Sequence, residues 1–373
     1  MDLPFPLLDP DAPSAYPWAE VAARPWAREM ASCPQDPEHH AEGDVWTHTV
    51  MVCEALAALP AWRALPADER AIVFAACLLH DVAKPMCTRV VDGRIRQPGH
   101  SVKGDIMARG MLWRADVDPT AREAITALIR YHQVPFFCID ENDPIRRIAQ
   151  VSMRARCDHL ALVNRADALG RICAAKERLL DNVELFLELA REQGCLGGPF
   201  PFPSAHTRYS YFHAPSRDPS VAAYDDTRCE VVMMAGLPGS GKDRWIARNV
   251  DLPVVSLDAI RSEIGAPPTG DQGPVLQVAR DRAREHLRAA QPFVWNATNL
   301  TREIRGRLLD LFTNYGARVR IVYVESPHRA LLKQNREREP GARVPEAVIE
   351  RMTRRWEIPD PTEAHRVDWV FEG

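Results

Sequence analysis

Residues 230–243, EVVMMAGLPGSGKD, constrain the fold of this chain more than any other stretch. The apolar run 230–235 has strand character and leads at once into Gly236, Leu237, Pro238, Gly239, Ser240, Gly241, Lys242 and Asp243, a G-x-x-x-x-G-K spacing. A strand feeding a glycine-rich turn and then a helix exposes a row of backbone N–H groups at a positive helix end. The lysine adds a mobile charge for β- and γ-phosphates. The glycines let the backbone turn tightly and pass close to the phosphates without a Cβ in the way. One position departs from the pattern. Asp243 stands where a Ser or Thr hydroxyl usually meets Mg²⁺, which implies altered coordination, the carboxylate reaching the metal directly or through water. This half of the chain is expected to bind ATP or another nucleoside triphosphate with Mg²⁺.

A chain of 373 residues that is 46% hydrophobic can bury two ordinary cores. The formal net charge of −4 demands no nucleic acid globally, so any such site must be a local patch. Nine cysteines are scattered without a C-x-x-C pair, which argues against a zinc ribbon or redox motif and for a reduced, cytoplasmic setting. The acidic, proline-broken start MDLPFPLLDPDAP lacks the basic region of a signal peptide, and no run reaches the length of a membrane span. A soluble, intracellular protein is the expectation.

Residues 1–43, rich in Pro, Trp and Asp, read as an extended or partly helical lead-in. Asp44 suits an N-cap for VWTHTVMVCEALAAL, which Pro60 ends. Further helical stretches are expected at 67–82, 101–113, 121–131 and 143–152, with a long one running from 157 to about 193. No strand pattern of comparable strength interrupts them, so residues 1–195 are expected to form an all-α domain. His48, the pair His80-Asp81, His100, His132 and Asp167 each sit on or at the end of a different helical segment, so a packed bundle can bring them to one pocket. Imidazoles and carboxylates suit a divalent transition metal (Mn²⁺, Co²⁺, Ni²⁺) far better than they suit a structural zinc tetrahedron of thiolates. A lone His closing an apolar run such as IVFAACLLH is more often a satisfied core residue; here the number of partners favours ligands. Trp46, Trp62 and Trp113 read as core packing, and His39-His40 as a loop pair outside the set.

A first His, then a His-Asp doublet, then a distant Asp resembles the HD phosphohydrolase superfamily, with GDVWTHT and HDVAK carrying the likeness. The resemblance implies metal-dependent phosphoester or phosphodiester hydrolysis. By it, His48, His80, Asp81 and Asp167 hold a first metal, and His100 and His132 hold a second or contact the phosphate. Lys84, three residues after the doublet, and Arg171, one turn after Asp167, would bind the phosphate. A solvated helix face is the alternative for those two cations.

Residues 196–228 are the expected linker: the stretch 194–226 is dense in Gly, Pro and Ser without a sustained period. Its aromatics (Phe200, Phe202, Tyr209, Tyr211, Phe212) point to an ordered strap packed on one or both domains. Beyond it, residues 229–373 alternate strand and helix. Strands are expected at 253–257, 292–296, 318–324 and 366–371, and helices at 242–250, 275–290, 302–315, 327–337 and 345–356. That alternation implies a parallel sheet covered on both faces, with functional side chains just after the strands. Asp258 closes the second strand and Arg261 follows one helical turn on. The carboxylate is placed to accept a hydroxyl proton, the arginine to hold an anionic acceptor, and a simple N-cap is the alternative for Asp258. Thr298 and Asn299, after the next strand, would line the acceptor pocket. The usual strand-end aspartate for Mg²⁺ is missing there, with Asn296 nearby. The basic stretch KQNREREPGARVPEAVI reads as a lid whose Arg338, with Arg336 and Arg343 as neighbours, reaches the β/γ-phosphates.

The order GLPGSGK, D-x-x-R, T-N, R-x-R resembles the phage-type 5′-hydroxyl polynucleotide kinases. The resemblance makes Lys242 a phosphate ligand, Asp258 the general base, Arg261 the grip on the phosphate 3′ to the acceptor nucleotide, and Arg338 the catalytic arginine. Both halves together resemble the bacterial HD–polynucleotide kinase end-healing enzymes. These would remove a 2′,3′-cyclic or terminal phosphate and phosphorylate a 5′-OH on RNA or DNA, for a separate ligase to join. Two rivals stay open: an HD nucleotidase fused to a small-metabolite kinase, and an NTP-gated HD hydrolase without phosphoryl transfer.

Overall fold

The structure, a computed structural model, describes residues 3–214, 217–267, 270–338 and 343–372. It divides into two compact units, Met1–Pro201 and Phe202–Gly373.

The first unit is helical. Its principal helices are α1 (Val45–Ala58), α2 (Ala67–Leu79), α3 (His100–Arg114), α4 (Pro119–Tyr131), α5 (Pro144–Ser152), α6 (Cys157–Leu169) and α7 (Lys176–Glu192). Asp44, Asp118 and Asp143 cap α1, α4 and α5, each accepting a backbone N–H at 2.9 Å. The apolar run in α2 leaves every residue from Val73 to Leu79 buried, and α1, α4 and α6 pack around it. Short helices Trp18–Ala22 and Pro25–Ala31 form in the lead-in.

Two differences from the sequence expectation stand out. The long helix expected from 157 to 193 is two, broken at Gly170–Ala175. A Cβ on Gly170 would lie 2.7 Å from Val52 N, so the end of α6 docks tightly on α1 and the chain must turn away. A hairpin, β1 (Arg89–Val91) and β2 (Arg94–Arg96), interrupts the helices. Asp92 and Gly93 between them both take positive φ (52° and 74°), the turn chemistry an Asp-Gly pair supplies.

In the second unit, residues of the expected strap form helix α8 (Ala205–His213), capped by Ser204. Arg208 donates to Pro361 O and His365 O, and Tyr209 stacks on His365 with ring centroids 4.1 Å apart. Then follow β3 (Cys229–Ala235), α9 (Lys242–Asn249), β4 (Val254–Ser256), α10 (Leu257–Glu263), α11 (Gly273–Arg288), β5 (Phe293–Asn296), α12 (Arg302–Thr313), β6 (Ala317–Glu325), α13 (His328–Glu337), α14 (Glu346–Thr353) and β7 (Arg366–Phe371). The five strands run parallel in the order β4-β5-β3-β6-β7. This is a P-loop kinase fold, with β3 central and its glycine turn at the carboxyl edge where such sheets bind ligands. Val232, Met234, Val294, Val322 and Val324 bury one face of the sheet against Trp245 and Ile246 of α9.

Candidate functional site

In the first unit, the metal-type residues converge at the end of α2. His80 and Asp81 follow directly on its buried run. His48 comes from α1, Asp167 from α6, His100 from the first residue of α3 and His132 from the C-cap of α4. Asp81 stands between two groups. Its Oδ2 lies 3.1 Å from His80 Nε2 and 3.9 Å from His48 Nε2; its Oδ1 lies 3.4 Å from His100 Nε2 and 3.7 Å from His132 Nε2. Asp167 Oδ1 is 3.1 Å from His48 Nε2. Ligand atoms of His48, His80 and Asp167 lie within 4.8 Å of one another, as do those of Asp81, His100 and His132.

Three imidazoles are oriented alike. Nδ1 of His80, His100 and His132 each lies 2.7 Å from the carbonyl oxygen three residues earlier. A carbonyl only accepts, so Nδ1 carries the proton and Nε2 faces the cluster. His100 Nε2 and His132 Nε2 thereby face each other at 3.2 Å as two acceptors, a pairing that a cation relieves. His48 Nε2, His80 Nε2 and Asp81 Oδ1 are buried without a well-formed hydrogen bond. These donors fit one or two divalent transition-metal ions.

Burial, helped by His100 and His80, lowers the pKa of His132 to about 3, and burial lowers that of His100 too, so both imidazoles are neutral. Burial works to raise Asp81 and Asp167, yet His80 and Lys84 beside the first, and Arg171 and His48 beside the second, hold both well below the usual carboxylate range. Lys84 is no solvated cation: it is 5% exposed, with Nζ 2.7 Å from Asp81 Oδ2 and donating to Gln35 Oε1 at 2.6 Å. Arg171 donates to both oxygens of Asp167, at 2.8 and 2.7 Å, and sits 5.0 Å from the ring centroid of Phe136.

The sequence reading passed over Glu42 and Gln35 and set His40 aside. Glu42 Oε1 lies 2.8 Å from both His40 Nδ1 and His48 Nδ1 and so places a carboxylate behind the ring of His48. Burial lowers the pKa of His40 to about 4. A glutamate in the loop ahead of a helix cap belongs to no motif; only the tertiary contact reveals it.

In the second unit, the turn after β3 has a glycine wherever a side chain would collide. Gly236 has φ 139°, and a Cβ on it would strike Val324 O and lie 2.9 Å from Ser240 Oγ. Gly241, at φ 98°, begins α9. Ser240 Oγ is buried without a hydrogen-bond partner. Lys242 Nζ donates to Gly236 O and Leu237 O at 3.0 and 2.9 Å; desolvation of the ammonium pulls its pKa to about 8, against the pull of Asp243 and Asp258. Asn296 Nδ2 donates to Asp243 Oδ1 at 2.6 Å.

Asp258, Arg261 and Arg338 come together. Arg261 Nη1 pairs with Asp258 Oδ1, and Arg338 Nη2 lies 4.0 Å from Oδ2. The N-cap of α10 is Ser256, whose Oγ accepts from Ala259 N–H, so the exposed Asp258 carboxylate is not engaged in capping. Arg336 and Asn299 are engaged elsewhere. Arg336 pairs with Glu346 at 2.8 Å. Asn299, 4% exposed and at φ 44°, donates to Met234 O at 2.7 Å, so its side chain braces β3 rather than lining an acceptor pocket. Thr298 O accepts the Gly236 N–H at 2.9 Å, and Arg343 donates to Arg338 O at 3.3 Å. Among the described residues, no helix is long and apolar enough to cross a membrane.

An AAA domain family model matches residues 231–359. The multifunctional CCA protein of Halorhodospira halophila is 36% identical over 99 residues, a match covering 26% of this chain and 21% of that protein. The chain thus spans about a fifth of the length of this curated relative. A sugar kinase from a Janibacter species is 20% identical over 38% of this chain and 84% of its own, with a TM-score of 0.29. A candidate kinase from Chloroflexus aurantiacus is 16% identical over 39% of this chain and 86% of its own, with a TM-score of 0.34. The second unit is a P-loop kinase-like domain, and its fold implies a nucleoside triphosphate with Mg²⁺.

Proposed function

We propose that the chain heals nucleic-acid ends, phosphorylating a 5′-OH with its second unit and hydrolysing a 2′,3′-cyclic or terminal 2′ or 3′ phosphate with its first. The observation that carries this reading is the grouping of Asp258, Arg261 and Arg338 beyond a phosphate-type glycine turn. An ionised carboxylate accepts the proton of an attacking hydroxyl, and a kinase acting on a phosphodiester chain also needs a cation for the acceptor's own phosphate. Asp258 takes the proton as the 5′ oxygen bonds to the γ-phosphorus and the bond to the β-phosphate oxygen breaks, releasing NDP. Arg261 holds the phosphate 3′ to the acceptor nucleotide. Lys242 and Arg338 offset the charge spreading over the γ-phosphoryl oxygens.

In the first unit, His48, His80, Asp81 and Asp167 would hold one divalent ion, and His100 and His132, sharing Asp81, a second. Such an ion supplies Lewis acidity toward a phosphoryl oxygen. Lys84 and Arg171 offset the carboxylate charge of Asp81 and Asp167 and take the substrate phosphate. Glu42 keeps His48 in one orientation. The products, a 3′-OH and a 5′-phosphate, are what a separate ligase consumes.

The test is a short RNA with a 5′-OH and a 2′,3′-cyclic phosphate, incubated with ATP, Mg²⁺ and Mn²⁺, Co²⁺ or Ni²⁺ in parallel, both ends being read by mass spectrometry. The expected result is a 5′-phosphate with the unaltered chain and with Asp81→Asn but not with Asp258→Ala, and the converse at the 3′ end. Unchanged ends while free nucleotides are consumed would sink the polynucleotide reading.

A further inference from the structure

Two departures from the usual P-loop pattern meet in space. In that pattern a neutral Ser or Thr hydroxyl follows the lysine, an aspartate closes the strand beside the phosphate strand, and the two together hold Mg²⁺. Here the residue after Lys242 is the carboxylate Asp243, and the residue closing β5, the neighbour of β3, is the neutral amide Asn296. They lie 53 residues apart in sequence and are joined by a hydrogen bond of 2.6 Å. An ionised carboxylate only accepts, so the atom of Asn296 facing it is the NH₂ group. The hydrogen bond occupies one lone pair of Asp243 Oδ1 and fixes the carboxylate over the start of α9. Asn296 is 8% exposed at the strand end, whereas Asp243 is exposed.

We infer that the Mg²⁺ site of this kinase domain is charge-swapped: Asp243 supplies the anionic oxygen that the strand aspartate supplies elsewhere, and Asn296 positions it. One negative charge is present in either arrangement, so the electrostatic demand of a hard dication beside a triphosphate is met with the two partners exchanged. An aspartate at 296 facing Asp243 would place two carboxylates at contact distance, a repulsive pair. The two positions therefore have to change together.

The inference rests on the kinase reading, and the experiment separates the two. Calorimetry on the full chain would give the affinity for a non-hydrolysable ATP analogue with Mg²⁺ and in chelator, for the unaltered protein, Asp243→Asn, Asp243→Thr, Asn296→Asp and the double change D243T/N296D. Circular dichroism would confirm that each is folded. The ratio of the two affinities, the Mg²⁺ coupling, should fall about 10–100-fold in Asp243→Asn and Asp243→Thr, and return to within a few-fold in the double variant. Asp243→Asn keeps a side-chain partner for Asn296, so a loss there reflects charge and not a broken tie. Unchanged coupling in Asp243→Asn, or no recovery in the folded double variant, would overturn the swap while leaving the kinase reading intact. An unaltered chain that binds no analogue at all would overturn both.

Discussion

Lys242 is held over its own turn by two carbonyl oxygens, and a triphosphate offers it stronger partners. Desolvation has brought its pKa to about 8 in the free chain, and bound phosphates raise it. The free ammonium therefore loses its proton at a lower pH than the bound one. NTP affinity should fall as the pH rises through about 8, with net proton uptake on binding seen by calorimetry in buffers of different ionisation enthalpy. Lys242→Met should abolish the uptake; persistence of the uptake would assign the proton elsewhere. Asp258 is the base we propose, so Asp258→Asn should slow phosphoryl transfer by about 10²–10⁴-fold with nucleotide affinity unchanged, as single-turnover kinetics would show. The motif residues were legible in the sequence because a turn or a doublet is a local pattern. Their partners were not: Gln35 meets Lys84 across 49 residues, and Asn296 meets Asp243 across 53.

Helices α3 and α4 are joined by buried ions that no local pattern announces. Arg109, fully buried, donates to Glu123 at 2.9 Å and pairs with Asp105, while Arg122 donates to Glu123 at 2.9 Å. Removing Arg109 takes a buried partner from both carboxylates, leaving Glu123 with Arg122 and Arg154 and Asp105 with Arg130 and Arg154, so Arg109→Ala should cost about 3 kcal/mol in chemical denaturation. Burial works to raise Glu123, yet Arg109 and Arg122 bring its pKa to about 2, below the ordinary 4.5. A depressed carboxylate stabilises the fold above its unfolded pKa, so this contribution is whole above pH 4.5 and fades as the pH falls toward about 2. Denaturation midpoints should fall over that window, and fall less in an Arg109→Ala background. Apart from the β1–β2 hairpin and α8, element types followed from periodicity, since the αβ alternation and the apolar helical runs are strong. The break after α6 did not, because it depends on Gly170 meeting Val52 of α1. Gly170→Val should prise α6 from α1, cost about 1–3 kcal/mol in urea unfolding and lower the metal content of the purified chain.

Each unit carries its own core, one built around α2 and the other around β3. Residues 202–373 produced alone should therefore fold and bind NTP within a few-fold of the full chain, measured by calorimetry; failure to fold would mean that the division by contacts is not a division by stability. The sequence placed the change from helical bundle to αβ layers near the proline-rich stretch. It did not anticipate α8, whose short period is hidden among prolines and whose place depends on Arg208 and Tyr209 meeting the loop before β7.

The His-Asp doublet continues a helix whose residues from Val73 to Leu79 are all buried, whereas Asp258 stands on an exposed first turn with its carboxylate 72% accessible. Inheritance acts differently on two such places. A change near the doublet is a change in the core, and a lineage that tries it loses the fold before it can try a new substrate. The rim around Asp258 can be rewritten one surface residue at a time. Among descendants of this chain, the surface around Asp258 should drift long before the buried His-Asp cluster does.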